Sequence, residues 1–196
     1  MALGGFKDFT AETASSADVD SYLMQGILVF ATEAARDSAL TGYLEEGRFA
    51  YTEDNDSLWL YDGSEWQPWF TQWTTYTPTW TNLTVGDGTQ DADYRYIGGD
   101  LRVRGLLTFG STTAVTGNIS QNLPNSETAD ATGASGSGVA ADDPRRYPLV
   151  VDCLPSDSTF VFYHAESTND GVVNATAPFT WASGDKLRWD IFLPTA

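Results

Sequence analysis

The sequence predicts a mainly β protein, with a small α+β module at its N-terminal end followed by a jelly-roll-like β-sandwich. Three observations carry that expectation. From Tyr76 onward, short apolar runs alternate with Gly, Asn, Asp and Pro at most joints, the pattern of an all-β sandwich. Between Phe49 and Trp66, apolar and polar residues alternate around an Asp62-Gly63 pair suited to a tight hairpin turn. Helical patterning is confined to two short stretches in the first forty residues. With 196 residues, of which 41% are hydrophobic and 13% aromatic, the chain has material for a packed core. A single cysteine, Cys153, excludes an intramolecular disulfide framework and any cysteine-based zinc site.

Residues 1–14 show no periodicity and read as an arm. Residues 15–67 read as the small module. In SSADVDSYLM, Ser15 followed by Asp18 resembles a capping box, and Val19, Tyr22 and Leu23 share a helical face. A strand follows at ILVF, then Thr32 caps a second helix, EAARDSAL, with Gly42 just past its end. The stretch YTEDNDSLWLYDGSEW then gives a three-strand meander, whose acidic residues fall in the turns Glu53–Ser57 and Asp62–Ser64. A calcium loop beginning at Asp54 places Leu58 and Trp59 where an oxygen ligand and the turn glycine belong, so turn chemistry is the better account and no metal site is expected.

Residues 68–80 are expected to form an aromatic linker. Trp66, Trp69, Trp73, Tyr76 and Trp80 recur at steps of three and four, as on a coiled-coil seam. Pro68, Pro78 and the intervening threonines favour extended chain instead. The five aromatics are expected at interfaces between modules or between chains, with a stacking platform for glycan rings as the alternative.

Residues 81–196 carry the sandwich. Including the lead-in from Tyr76, nine strand candidates are YTPTWTNLTV, YRYI, LRVRGLLTF, AVTGNISQNL, YPLVVDCL, STFVFYHA, GVVNAT, FTWA and KLRWDIFL. The run Asn125–Asp143, without aromatic or basic residues, is expected to be a mobile loop. A two-residue turn at Gly98-Gly99 places Tyr94, Tyr96, Leu101 and Val103 inside and aligns Arg95, Arg102 and Arg104 outside. That row is either neutralised by acidic residues of a neighbouring strand or subunit, or anchors acidic sugars or an acidic partner.

A net charge of −17 argues against nucleic acid and against an anionic membrane surface. No basic leader or long apolar run suggests Sec export or membrane insertion, so a soluble chain is expected. No nucleophile elbow, phosphate loop or singled-out carboxylate pair appears, and Cys153 and His164 sit in strongly apolar strands. The chain is therefore expected to be non-enzymatic, without catalytic residues or a cofactor.

The run from Ile27 to Trp66 carries Phe30-Ala31, Ala35-Arg36-Asp37, Glu46-Gly47, Tyr51, Tyr61-Asp62-Gly63 and Trp66 in order. It resembles an N-terminal module of structural proteins in tailed-bacteriophage virions, of the minor tail, tail fibre and head fibre kinds. TYTPTWTNLTVGDGT, DYRYIGGDLRVRGLLTFGSTT and KLRWDIFLP are similar to terminal β domains of bacteriophage fibre proteins. The resemblance implies a virion protein, synthesised in the host cytoplasm, that forms a homotrimer and meets other virion proteins through its N-terminal module. It further implies contact with host-surface glycan through the β domain, as a fibre or tail-appendage subunit. The alternative is a capsid-attached head fibre or decoration protein.

Overall fold

A computed structural model describes residues 26–164 and 171–195. The expected arm and the helix at Ser15–Met24 lie outside the described residues. The chain divides into two compact units at Thr71/Gln72. Both are built on β-structure, so the fold is mainly β and sandwich-like, as the patterning predicts.

In the smaller unit, β1 (Leu28–Phe30) runs parallel to β2 (Phe49–Thr52), and the connection that parallel pairing requires contains helix α1 (Glu33–Leu40). Thr32 caps the helix by accepting a hydrogen bond from the Ala35 N–H at 3.1 Å. The expected meander continues as β2, β3 (Ser57–Tyr61) and β4 (Trp66–Phe70), all antiparallel. Register puts Ala50 opposite Trp59 on the face that meets the helix. There the Arg36 guanidinium is buried with ring centroids of Trp59 and Trp66 at 4.9 and 4.6 Å. The opposite face carries Val29, Tyr51, Leu58 and Phe70 in one row across all four strands.

The turn aspartates serve the turns. Asp62 Oδ1 accepts hydrogen bonds from the Ser64 and Glu65 N–H groups, each at 2.8 Å, and the Tyr51 hydroxyl donates to Asp56. Those backbone bonds, with one from the Gln67 side chain, hold the Asp62 carboxyl well below the usual carboxylate range.

The larger unit contains β5 (Thr74–Thr75), β6 (Trp80–Thr84), β7 (Thr89–Ile97), β8 (Asp100–Thr108), β9 (Ala114–Asn122), β10 (Ala134–Asp142), β11 (Arg145–Cys153), β12 (Thr159–His164), β13 (Gly171–Val172) and β14 (Lys186–Leu193). Its strands lie in the order β7-β8-β14-β10-β11-β12-β9-β6, with β5 added to β7 and β13 to β12. The sheet doubles over on its apolar side. Trp80 of β6 stacks on Phe162 of β12 and meets Trp189 of β14 edge-on at 5.3 Å, while its Nε1 donates to Gln90 of β7 at 3.0 Å. Leu101, Val103, Ile119, Val151, Phe160 and Leu187 fill the space between the layers.

Three expectations need correction. Residues 134–142 form no loop but a nine-residue strand paired on both sides, between β11 and β14. Its small residues are required by close approach: a Cβ on Gly136 would stand 2.4 Å from the Asp190 carbonyl oxygen and 2.7 Å from Ile191 Cα. Second, the FTWA stretch is not a strand. Phe179 and Trp181 hang from a loop, and the Trp181 ring stacks on Phe109 at 4.3 Å. Third, residues 68–80 form no separate linker, because Trp66–Phe70 completes the smaller sheet and Thr74–Thr84 supplies β5 and β6 of the larger one.

Candidate functional site

The hairpin β7–β8 has the anticipated register. Gly98 and Gly99 form its turn with φ of +68° and +92°, values that favour residues without a Cβ. Arg95 then faces Arg102, Tyr94 faces Val103 and Tyr96 faces Leu101. The tyrosines, Leu101 and Val103 point to the core, while Arg95, Arg102 and Arg104 line the outer surface.

Trp73, from the stretch expected to be a linker, completes this row. Its position follows from β5, whose Thr74 and Thr75 pair with Tyr94 and Asp93 of β7. The indole lies against all three cations, with guanidinium-to-centroid distances of 3.8 Å for Arg104, 4.5 Å for Arg95 and 5.8 Å for Arg102. A ring face is a site of negative potential, so one tryptophan offsets part of three positive charges without accepting a conventional hydrogen bond.

Two of the arginines also have carboxylate partners, one on each flanking strand. Arg102 makes a two-pronged contact with Asp190 of β14, Nε to Oδ1 at 3.0 Å and Nη2 to Oδ2 at 2.6 Å. That hydrogen bonding holds the Arg102 guanidinium further above its usual value. Arg104 Nη2 reaches Asp93 Oδ2 at 3.2 Å, and the Thr75 hydroxyl steadies the other oxygen of Asp93. Among the described residues Arg95 has no carboxylate partner, and its Nε is buried without a hydrogen bond.

Register extends the surface further. β14 adds Arg188 and Lys186 to the same side, and β11 adds Arg146. Six of the seven basic residues of the larger unit therefore share the outer surface of β7-β8-β14-β10-β11 with five acidic ones, Asp91, Asp93, Asp100, Asp152 and Asp190. In a chain of net charge −17 the cations of the larger unit are gathered on one surface.

Two open grooves flank the Arg102–Asp190 pair. One, of about 580 Å³, is lined by Ile97, Arg102, Ser135, Ser137, Asp190 and Phe192. The other, of about 340 Å³, runs past Asp91, Asp93, Arg104, Leu106 and Arg188. Asp190, Phe192, Ser135 and Ser137 were not anticipated. The alternation of KLRWDIFL does place Arg188, Asp190 and Phe192 on one side, but nothing local says that β14 joins β8.

The other anticipated aromatics pack within their own units. Trp66 covers Arg36, Tyr76 accepts a hydrogen bond from the buried Gln121 amide, and Trp80 belongs to the core. Trp69 meets Phe49 edge-on and remains 38% exposed. Cys153 and His164 are not brought together. His164 pairs with Leu149, four residues along β11 from Cys153, a separation of roughly 13 Å. Burial pushes the Cys153 thiol up to about 11. Asp87 is occupied in clasping a loop, accepting from the Thr112 N–H at 2.7 Å and the Ser111 hydroxyl at 2.6 Å. Among the described residues no three His, Cys, Asp or Glu side chains form a group that could hold a metal ion, and no helix is long and apolar enough to cross a membrane.

Compared with protein-family models, curated proteins and solved structures, the chain matches none.

Proposed function

We propose that this chain is a non-enzymatic structural protein of a tailed-bacteriophage virion, a fibre or tail-appendage subunit. Its smaller unit anchors it to other virion proteins, and its β unit contacts glycan on the host surface. The observation that carries the reading is the segregation of six of the seven basic residues of the larger unit onto one sheet surface, around Trp73. A surface of nearly balanced charge with aromatic and hydroxyl groups, on an otherwise strongly acidic molecule, suits polar partners that the rest of the surface repels.

The smaller unit supports the anchoring half of the proposal. Its row Val29, Tyr51, Leu58 and Phe70 lies opposite the helix, with Val29 59% and Phe70 40% exposed. Contiguous apolar surface of this kind suits contact with another protein. A homotrimer is part of the same proposal and stands on the resemblance, since Trp66, Tyr76 and Trp80 are satisfied within their own units.

The test uses the purified full-length chain against envelope preparations of the host and against bare capsids. The proposal expects envelope binding, competition with infection, and a trimer by light scattering at micromolar concentration. Binding to capsids alone would replace it with the head-fibre or decoration role.

A further inference from the structure

We infer that the Arg95 end of the arginine row, with the adjoining groove, binds a carboxylated sugar residue of the uronic-acid class. The inference deepens the glycan-contact proposal and takes its biological meaning from it, while its chemistry stands on three local features.

First, the ion pairing of the row is incomplete. Arg102 is matched by Asp190 and Arg104 by Asp93, whereas Arg95 stands directly opposite Arg102 with no carboxylate of its own among the described residues. Like charges facing one another across a ladder repel. The Trp73 ring, 4.5 Å from the Arg95 guanidinium, eases that repulsion, and Arg95 Nε has no hydrogen-bond acceptor. An incoming anion is the partner the row lacks.

Second, Arg95 is the one cation of the row without an ion pair among the described residues, and acidic residues border it, Asp93, Asp190 and, one rung away on the same face, Asp100. A carboxylate brings one negative charge, whereas a phosphomonoester brings nearly two and would face Asp93 and Asp190 at close range. The balance favours the carboxylate.

Third, the groove beside Arg102 has the features that complement a pyranose ring. Phe192, 47% exposed, offers an apolar platform, and the Ser137 hydroxyl, the Asp190 carboxylate and the Ser135 hydroxyl, which donates to Asp152 at 2.7 Å and is left to accept, form a hydrogen-bonding rim. Arg102 and Asp190 are held by each other, so the polar groups are already oriented before a ligand arrives.

The experiment measures binding of the full-length chain to hexagalacturonate by calorimetry, beside its methyl ester, a hexaglutamate peptide and a short polyphosphate. Hexagalacturonate is expected to bind and to weaken with added salt. The methyl ester, identical but uncharged, is expected to bind about tenfold more weakly or worse. Arg95→Gln is expected to lose about tenfold in hexagalacturonate affinity, with Arg95→Lys between it and the parent. Asp93→Asn frees Arg104 and is expected to tighten binding about threefold, a gain that a folding defect cannot mimic.

Equal binding of the methyl ester would overturn the inference, as would unchanged affinity in both Arg95→Gln and Asp93→Asn. Hexaglutamate or polyphosphate binding as tightly as hexagalacturonate would overturn it in favour of an acidic protein or a phosphate ligand. Failure of this site and failure of the host-contact proposal give different results. If the chain binds host envelopes while hexagalacturonate binding is absent or unchanged in Arg95→Gln, only the site falls. Arg95-dependent uronate binding without envelope binding upholds the site and removes the host role.

Discussion

Each unit sets arginine against tryptophan, and the two uses are opposite. In the smaller unit Arg36 is 3% exposed, enclosed between Trp59 and Trp66, with Asp37 Oδ1 accepting from its Nε at 2.8 Å. Its long side chain acts as core material, and its charge is held by rings and two neighbouring carboxylates, Asp37 and, at 4.0 Å, Glu33. In the larger unit three arginines share one ring on an open surface, and Arg104 has a half-exposed side chain. The pairing chemistry is the same. Burial decides whether it contributes to folding or leaves charge for a partner.

The comparison breaks most readily at Arg36. Arg36→Ala removes the body between two indoles and is expected to cost about 3 kcal/mol of stability in the smaller unit. Urea unfolding followed by tryptophan fluorescence checks it, and a loss below about 1 kcal/mol would mean that Arg36 is no core residue.

Arg104→Ala is the matched change in the larger unit. Although Arg104 lies nearer its ring than Arg36 does to either of its own, water screens it, and the expected loss is about 0.5 kcal/mol. A loss as large as that of Arg36→Ala, by the same measurement, would erase the distinction between the units.

The smallest effect concerns acid. Asp62 in the smaller unit and Asp87 in the larger one both have carboxyls held below the usual range by turn hydrogen bonds. A depressed carboxyl contributes stability that is present above the unfolded value, about 4, and is lost as pH falls through the folded one. Both units should therefore weaken slightly as pH drops below about 4. Asp62→Asn should flatten that slope for the smaller unit alone, read by following each unit's unfolding across pH.

Most of the local structure was legible because it depends on neighbours in sequence. The Thr32 cap, the meander and the Gly98-Gly99 hairpin each follow from a few adjacent residues, and the hairpin alone aligns Arg95, Arg102 and Arg104. β10 was not legible, because ASGSGVAAD lacks the bulky alternation that marks a strand. Gly136 answers to the Asp190 carbonyl and Ile191 and Gly138 to the Arg188 carbonyl, all distant in sequence. The aromatic spacing of Trp66 to Trp80 was misleading for a related reason. Those residues divide between two sheets, and their partners Arg36, Gln121 and Phe162 lie far away along the chain. Of the site, the cations were visible and the acidic partner Asp190 was not, since it arrives only when β14 docks beside β8.

The Gly98-Gly99 turn also governs what change this surface can absorb over generations. A Cβ at either position would meet nothing within 4 Å, so substitution there costs backbone strain alone, of about 1–2 kcal/mol. Length is another matter. One codon gained or lost, if taken up as a one-residue slip of β8 against β7, would turn Arg102 and Arg104 toward the core and Leu101 and Val103 toward water. A lineage carrying this hairpin is free to alter the letters of its tip, but it must conserve their number.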